Sequence, residues 1–170
     1  TGTDKKDDDN AAQEEKGPKV LNLNNTSEPG SLHPALAQGT HESWILEHSF
    51  EGLTSKDEKG NIIPGVAEKW EPSEDGLTWT FTLKDDAKWS NGDPVTAHDF
   101  EYAWKYALAP ETAAYYAYQL YYLAGGEEYN SGKGSADDVG VKATDDTTLV
   151  VTLVNPTPYF LDLTSFYTYY

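Results

Sequence analysis

Residues Gly76–Lys105, GLTWTFTLKDDAKWSNGDPVTAHDFEYAWK, hold a strand, a turn and a capped helix in one run. From Leu77 to Leu83 apolar residues and threonines alternate, so Leu77, Trp79, Phe81 and Leu83 share one face of a predicted half-buried strand and Thr78, Thr80 and Thr82 share the other. Asn91-Gly92 and then Asp93-Pro94 turn the chain, glycine through its freedom at positive φ and proline through its fixed φ and missing donor. Thr96 and Asp99 have the spacing of a capping box, and Phe100, Trp104, Ala107 and Leu108 recur at helical spacing behind them, which predicts a helix starting near Ala97. A strand with one apolar face beside an amphipathic helix calls for two packed layers, with Trp79 and Phe81 against Phe100 and Trp104.

Outward from this run, Glu74-Asp75-Gly76 is a turn that follows the Val66–Trp70 block, and KDEKGN (Lys56–Asn61) reads as a hairpin turn before Ile62-Ile63-Pro64-Gly65. On the other side, Val139–Ala143 and Thr148–Val154 are predicted strands about Asp145-Asp146, with Leu149, Val151 and Leu153 on one face. They are expected to join Trp79–Leu83 in one mainly antiparallel sheet. Val20–Leu23 reads as a further short strand, and from Glu42 onward Trp44, Ile45, His48 and Phe50 can line one side of a helix, with Glu47 and Glu51 outside. Gln38-Gly39-Thr40, just before it, reads as a loop. The segment Pro110–Tyr129 carries tyrosines at 115, 116, 118, 121, 122 and 129, which can serve a core or line a binding surface. The closing run PYFLDLTSFYTYY (Pro158–Tyr170) is rich in aromatic residues; more chain is expected to follow it, and in its absence the run is expected to be exposed and to seek another apolar surface.

Composition narrows the function. A hydrophobic fraction of 38% with 13% aromatic residues can build a core, so the chain as a whole is not a disordered one. Twenty-nine acidic against 12 basic residues leave a formal charge of −17, which argues against nucleic acid or anionic lipid as partners of the general surface. No cysteine is present, excluding a disulfide scaffold, a thiolate metal site and a cysteine nucleophile. The opening TGTDKKDDDNAAQEEK has six acids, three lysines and no aliphatic residue larger than alanine; residues 1–17 are expected to be a disordered acidic tether or a solubilising tail.

Catalytic signatures are weak. Many carboxylate pairs exist, but nothing in the sequence separates a glycosidase pair from a solvated face. His33, His41, His48 and His98 form no H-x-H or H-E-x-x-H spacing, no G-x-S-x-G is present, and Ser131-Gly132-Lys133-Gly134 lacks the spacing of a phosphate loop. Neither catalytic residues, nor a metal, nor a cofactor is expected.

The ordered set FEGLT (50–54), PGVAEKW (64–70), DDAKWSNGDPVTAHDF (85–100) and EYAWK (101–105) resembles the oligopeptide-binding proteins, extracytoplasmic solute receptors of bacterial ABC peptide importers (family 5), and the likeness runs from about Lys19 to Tyr170. The resemblance implies a mixed α/β, periplasmic-binding-protein-like fold of two lobes about a cleft. Of this the chain would hold residues 18–50 as the first segment of the large lobe and residues 51–170 as a smaller satellite domain, with the second lobe lying beyond Tyr170. It implies capture of oligopeptides outside the cell and delivery to the permease subunits, and, in Gram-positive members, attachment to the outer face of the cytoplasmic membrane through a lipid-modified N-terminal cysteine preceding residue 1. It further implies a ligand-binding edge at Gln38, Gly39 and Thr40, where relatives often have a carboxylate in place of Gln38, together with Tyr116; the bland alternative is that Gln38–Thr40 merely leads into a helix. Relatives also bind dipeptides, nickel complexes, haem or sugars, and the aromatic content leaves a wall-associated carbohydrate or adhesion module as a rival. The fragment alone is expected to bind no peptide and to self-associate.

Overall fold

The computed structural model describes residues 19–170; the tether expected over residues 1–17 lies outside the described residues. In chain order the elements are α1 (Thr40–Ser49), β1 (Thr54–Lys56), β2 (Ile62–Pro64), β3 (Ala67–Pro72), β4 (Thr78–Leu83), α2 (Ala97–Leu108), α3 (Gly126–Asn130), β5 (Val141–Ala143), β6 (Thr148–Thr152) and α4 (Phe160–Leu163), with short 3-10 turns between several of them. The fold is mixed α/β. β1 and β2 pair as an antiparallel ribbon across the KDEKGN turn, and β3-β4-β6-β5 form a four-stranded antiparallel sheet.

The alternation of β4 decides which side of the sheet is covered. Trp79 stands opposite Val151 and Phe81 opposite Leu149, while Val141 and Ala143 of β5 extend the same apolar face across β6. Phe81, Leu149 and Val151 are fully buried. α2 lies on β5 and β6 with Phe100, Trp104, Ala107 and Leu108 inward. Its start is fixed as anticipated: the Asp99 carboxylate accepts the Thr96 N–H at 2.8 Å, satisfying a donor that the first helical turn leaves free. Glu101 secures the helix sideways, accepting from Lys105 Nζ and from the Ala143 N–H of β5, each at 2.7 Å.

The C-terminal run closes the core. Phe160 packs at a tilt against Trp79 at 5.9 Å and edge-on against Phe81 at 6.3 Å, and Tyr169 meets Trp104 edge-on at 5.0 Å while its carbonyl accepts the Trp104 indole N–H at 2.9 Å. The expectation that Tyr159–Tyr170 is an exposed strip is therefore overturned: Phe160, Tyr167 and Tyr169 are buried within the chain, and Tyr159 is the half-exposed exception. The reason is that the sheet and α2 leave an apolar seam which Phe160 and Tyr169 fill, while Tyr167 packs with Ala37 and Leu46.

Two further expectations fail. Val20, Leu21 and Leu23 are 76%, 80% and 76% exposed and form no strand, because no neighbouring strand among the described residues offers them a ladder. On α1 the buried stripe is Glu42, Leu46 and, in part, Phe50, spaced four apart; Trp44 and His48 lie on an exposed stripe, and Glu47 and Glu51 are outside as anticipated. Trp44 therefore falls outside the inner face, which Leu46 shares with a carboxylate.

Candidate functional site

Chain direction brings the two nominated pieces of the site together. After a turn in which Leu36 and Ala37 N–H groups both donate to the His33 carbonyl, Gln38 and Gly39 run extended into α1, with Gly39 as its N-cap. Tyr116 arrives from the far end of the chain: a 3-10 turn at Pro110–Thr112 stops at Ala113, which takes the left-handed φ of 50°, and the reversed chain carries Tyr116 back. Its hydroxyl donates to the Gln38 carbonyl at 3.1 Å, across 78 residues of sequence. The ring is held by edge contacts with Phe166 at 5.8 Å and Tyr167 at 6.1 Å, in a small apolar cluster with Ala37 and Leu46.

Gln38 and Thr40 are exposed and Gly39 and Tyr116 half-buried, so all four nominated residues contribute to one solvent-facing edge. Its backbone is largely spoken for. The Gln38 and Gly39 N–H groups both donate to the Glu42 carboxylate, the second at 2.9 Å, and the Gly39 carbonyl accepts the Glu42 and Ser43 N–H groups at 3.1 and 3.0 Å. Left to the outside are the second lone pair of the Gln38 carbonyl, the Gln38 carboxamide and the Thr40 hydroxyl; the carboxamide and the hydroxyl have no hydrogen-bond partner among the described residues. Such groups can bond an extended chain; they cannot supply a nucleophile with its base.

Beneath the edge sits Glu42, which the sequence reading passed over. It is 4% exposed, yet its pKa falls from the ordinary 4.5 to about 2: the Gln38 N–H bond contributes most, burial opposes it, and the Ser31 and Gly39 N–H groups add to the lowering. An acid three residues after an N-cap glycine was the available signal. The edge thus lies over a buried negative charge compensated by amide dipoles. A second hollow, of about 1050 Å³, opens between His33–Ala35, the end of α1 and the α2 face bearing Tyr102 and Tyr106; none of the four nominated residues lines it. Its wall comes from well-separated segments, which is why the sequence did not announce it. Among the described residues no three His, Asp or Glu side chains gather as a metal cluster, and no helix is long and apolar enough to cross a membrane.

This fold and its blocks define a class. The family description for bacterial extracellular solute-binding proteins, family 5 middle, matches residues 61–170, and the chain belongs to that family. Among particular relatives, the oligopeptide-binding protein OppA of Bacillus subtilis (strain 168) is 56% identical over 157 residues, covering 92% of this chain and 29% of its own. Dipeptide-binding protein DppE of the same organism is 50% identical over 149 residues, covering 88% of this chain and 27% of its own. The crystal structure of Haemophilus influenzae OppA in complex with RPPGFSPFR superposes with a TM-score of 0.83 at 44% identity, over 86% of this chain and 29% of that one. The chain therefore spans less than a third of the length of these relatives.

Proposed function

We propose that this chain is the N-terminal part of an oligopeptide receptor that binds peptides outside the cell and hands them to the permease of an ABC importer, and that it is not an enzyme. The observation that carries this reading is the meeting of the Gln38–Thr40 loop with Tyr116 at 3.1 Å, in a chain 56% identical to a protein named for oligopeptide binding. Residues 18–50 then begin the large lobe and 51–170 form the satellite domain. Recognition runs through the peptide main chain, since the edge offers carbonyl, carboxamide and hydroxyl groups and no side-chain pocket of its own. A dipeptide-binding relative at 50% identity keeps shorter peptides as the second reading. The lipid anchor and residence on the outer face of the cytoplasmic membrane belong to the same proposal.

One edge cannot offset the ordering entropy of a flexible peptide, because buried ligands take their contacts from both walls of a cleft. Titrating tri- to pentapeptides into the full-length receptor is expected to give binding that depends more on the free amino end than on side-chain identity, while the 170-residue chain gives none. Micromolar binding by the isolated chain would show that the binding groups lie elsewhere. Self-association of that isolated chain would use Val20, Leu21, Leu23 and the hollow beside Tyr102, not the C-terminal run; light scattering across concentration tests it, and a strict monomer refutes it.

A further inference from the structure

Glu42 touches the edge only from within. Its Oε1 accepts the Ser31 N–H at 2.9 Å, and its Oε2 accepts the N–H groups of Gln38 and Gly39. One carboxylate thereby ties the Gly30-Ser31 segment, the Gln38-Gly39 segment and the first turn of α1 together. No basic side chain pairs with it among the described residues. Charge-assisted hydrogen bonds are shorter and stronger than neutral ones, so the three donors are held firmly, and the fit is close: a Cβ on Gly30 would lie 3.1 Å from Oε1. The amide planes of Gln38 and Gly39 have only this clamp on their N–H side and Tyr116 on the Gln38 carbonyl.

We propose that Glu42 is the positioning residue of the binding edge: by taking both N–H groups inward it fixes the Gln38 carbonyl and Thr40 outward in a single orientation for a peptide's N–H donors. The inference rests on the reading that this edge meets peptide. Without the clamp the loop samples several orientations, and ligand must order it on binding. Glu42 also decides the backbone polarity at Gln38 and Gly39, since it withdraws those two donors and leaves the Gln38 carbonyl outward.

Amide hydrogen exchange and peptide titration test this together. In the unaltered 170-residue chain the Gln38 and Gly39 amides exchange as slowly as those inside α1; exchange at free-peptide rates overturns the clamp without any variant. Glu42→Gln keeps the volume but turns one acceptor into a donor facing N–H groups, and Glu42→Asp keeps the charge while shortening the reach. In both, Gln38 or Gly39 exchange accelerates about tenfold or more while the Leu46 and Trp104 amides are unchanged, and full-length receptor carrying either binds a tri- to pentapeptide mixture about tenfold more weakly, or about 1.4 kcal/mol. Gln38→Trp, at an exposed position, separates this from the underlying reading by blocking the edge. If Gln38→Trp weakens binding and the Glu42 variants do not, the positioning role is refuted and the edge stands. If Gln38→Trp leaves affinity intact, the edge is not at the ligand and both fall.

Discussion

At Glu42 the pH dependence has a definite sign. The folded pKa lies at about 2 against an ordinary 4.5, so the carboxylate stabilises the fold fully above about pH 4.5 and that contribution fades as the pH falls toward 2. The expected result is that Glu42→Gln is less stable than the unaltered chain near neutrality and that the gap, read from urea midpoints, closes steadily as the solution is acidified. A gap independent of pH would falsify this. Trp104 makes the opposite kind of contribution: it is fully buried, edge-on to Tyr169, and its indole N–H is bonded, so Trp104→Ala is expected to cost about 3–5 kcal/mol by urea unfolding, with Trp104→Phe recovering part of it. The sequence made Trp104 legible through its helical spacing with Phe100. For Glu42 the signal is only its place three residues after Gly39, and it is faint because a lone acid on a short helix is ordinarily solvated and its backbone partners lie up to eleven residues upstream.

Elements were readable where their determinants are local. The alternation in β4, the turn residues of the three hairpins and the Thr96–Asp99 box each act over a few residues, and each element appears where those residues place it. Asp99→Ala is accordingly expected to lower stability by about 1 kcal/mol, with the helical dichroism of the folded protein unchanged. Where pairing is non-local the reading failed. Val20–Leu23 has strand composition and no partner strand among the described residues, and the inner face of α1 is set by Leu46, which packs on Tyr167, and by Glu42, whose amide donors lie outside the helix. The same holds for the site. Gln38–Thr40 and Tyr116 were reachable through resemblance, whereas their hydrogen bond depends on Ala113 adopting a left-handed conformation that alanine rarely takes. Ala113→Gly removes that restriction, and the Gln38–Tyr116 contact is expected to survive it; loss of the contact, seen as a shift of the Gln38 carbonyl carbon resonance, would mean that the turn is held by the alanine methyl instead.

At the largest scale the sheet and α2 are closed by residues 160–169. Thr54 and Thr164 share a buried hydroxyl pair at 2.7 Å across 110 residues, and the Trp104 indole finds its acceptor 65 residues later at Tyr169. Until Phe160 and Tyr169 are present, one side of the seam between sheet and α2 is open and the indole N–H has lost its acceptor. A polypeptide emerging amino end first can thus form its hairpins and its capped helix early but cannot lock them together until almost the last of these residues has appeared. Chains stopped at Asn155 are expected to be protease-sensitive and loosely packed, and the 170-residue chain resistant, when both are released from stalled synthesis. The aromatic run Phe160–Tyr169 acts as a latch on timing: the segments before it stay loosely joined until it appears, and it then sets them together in one step.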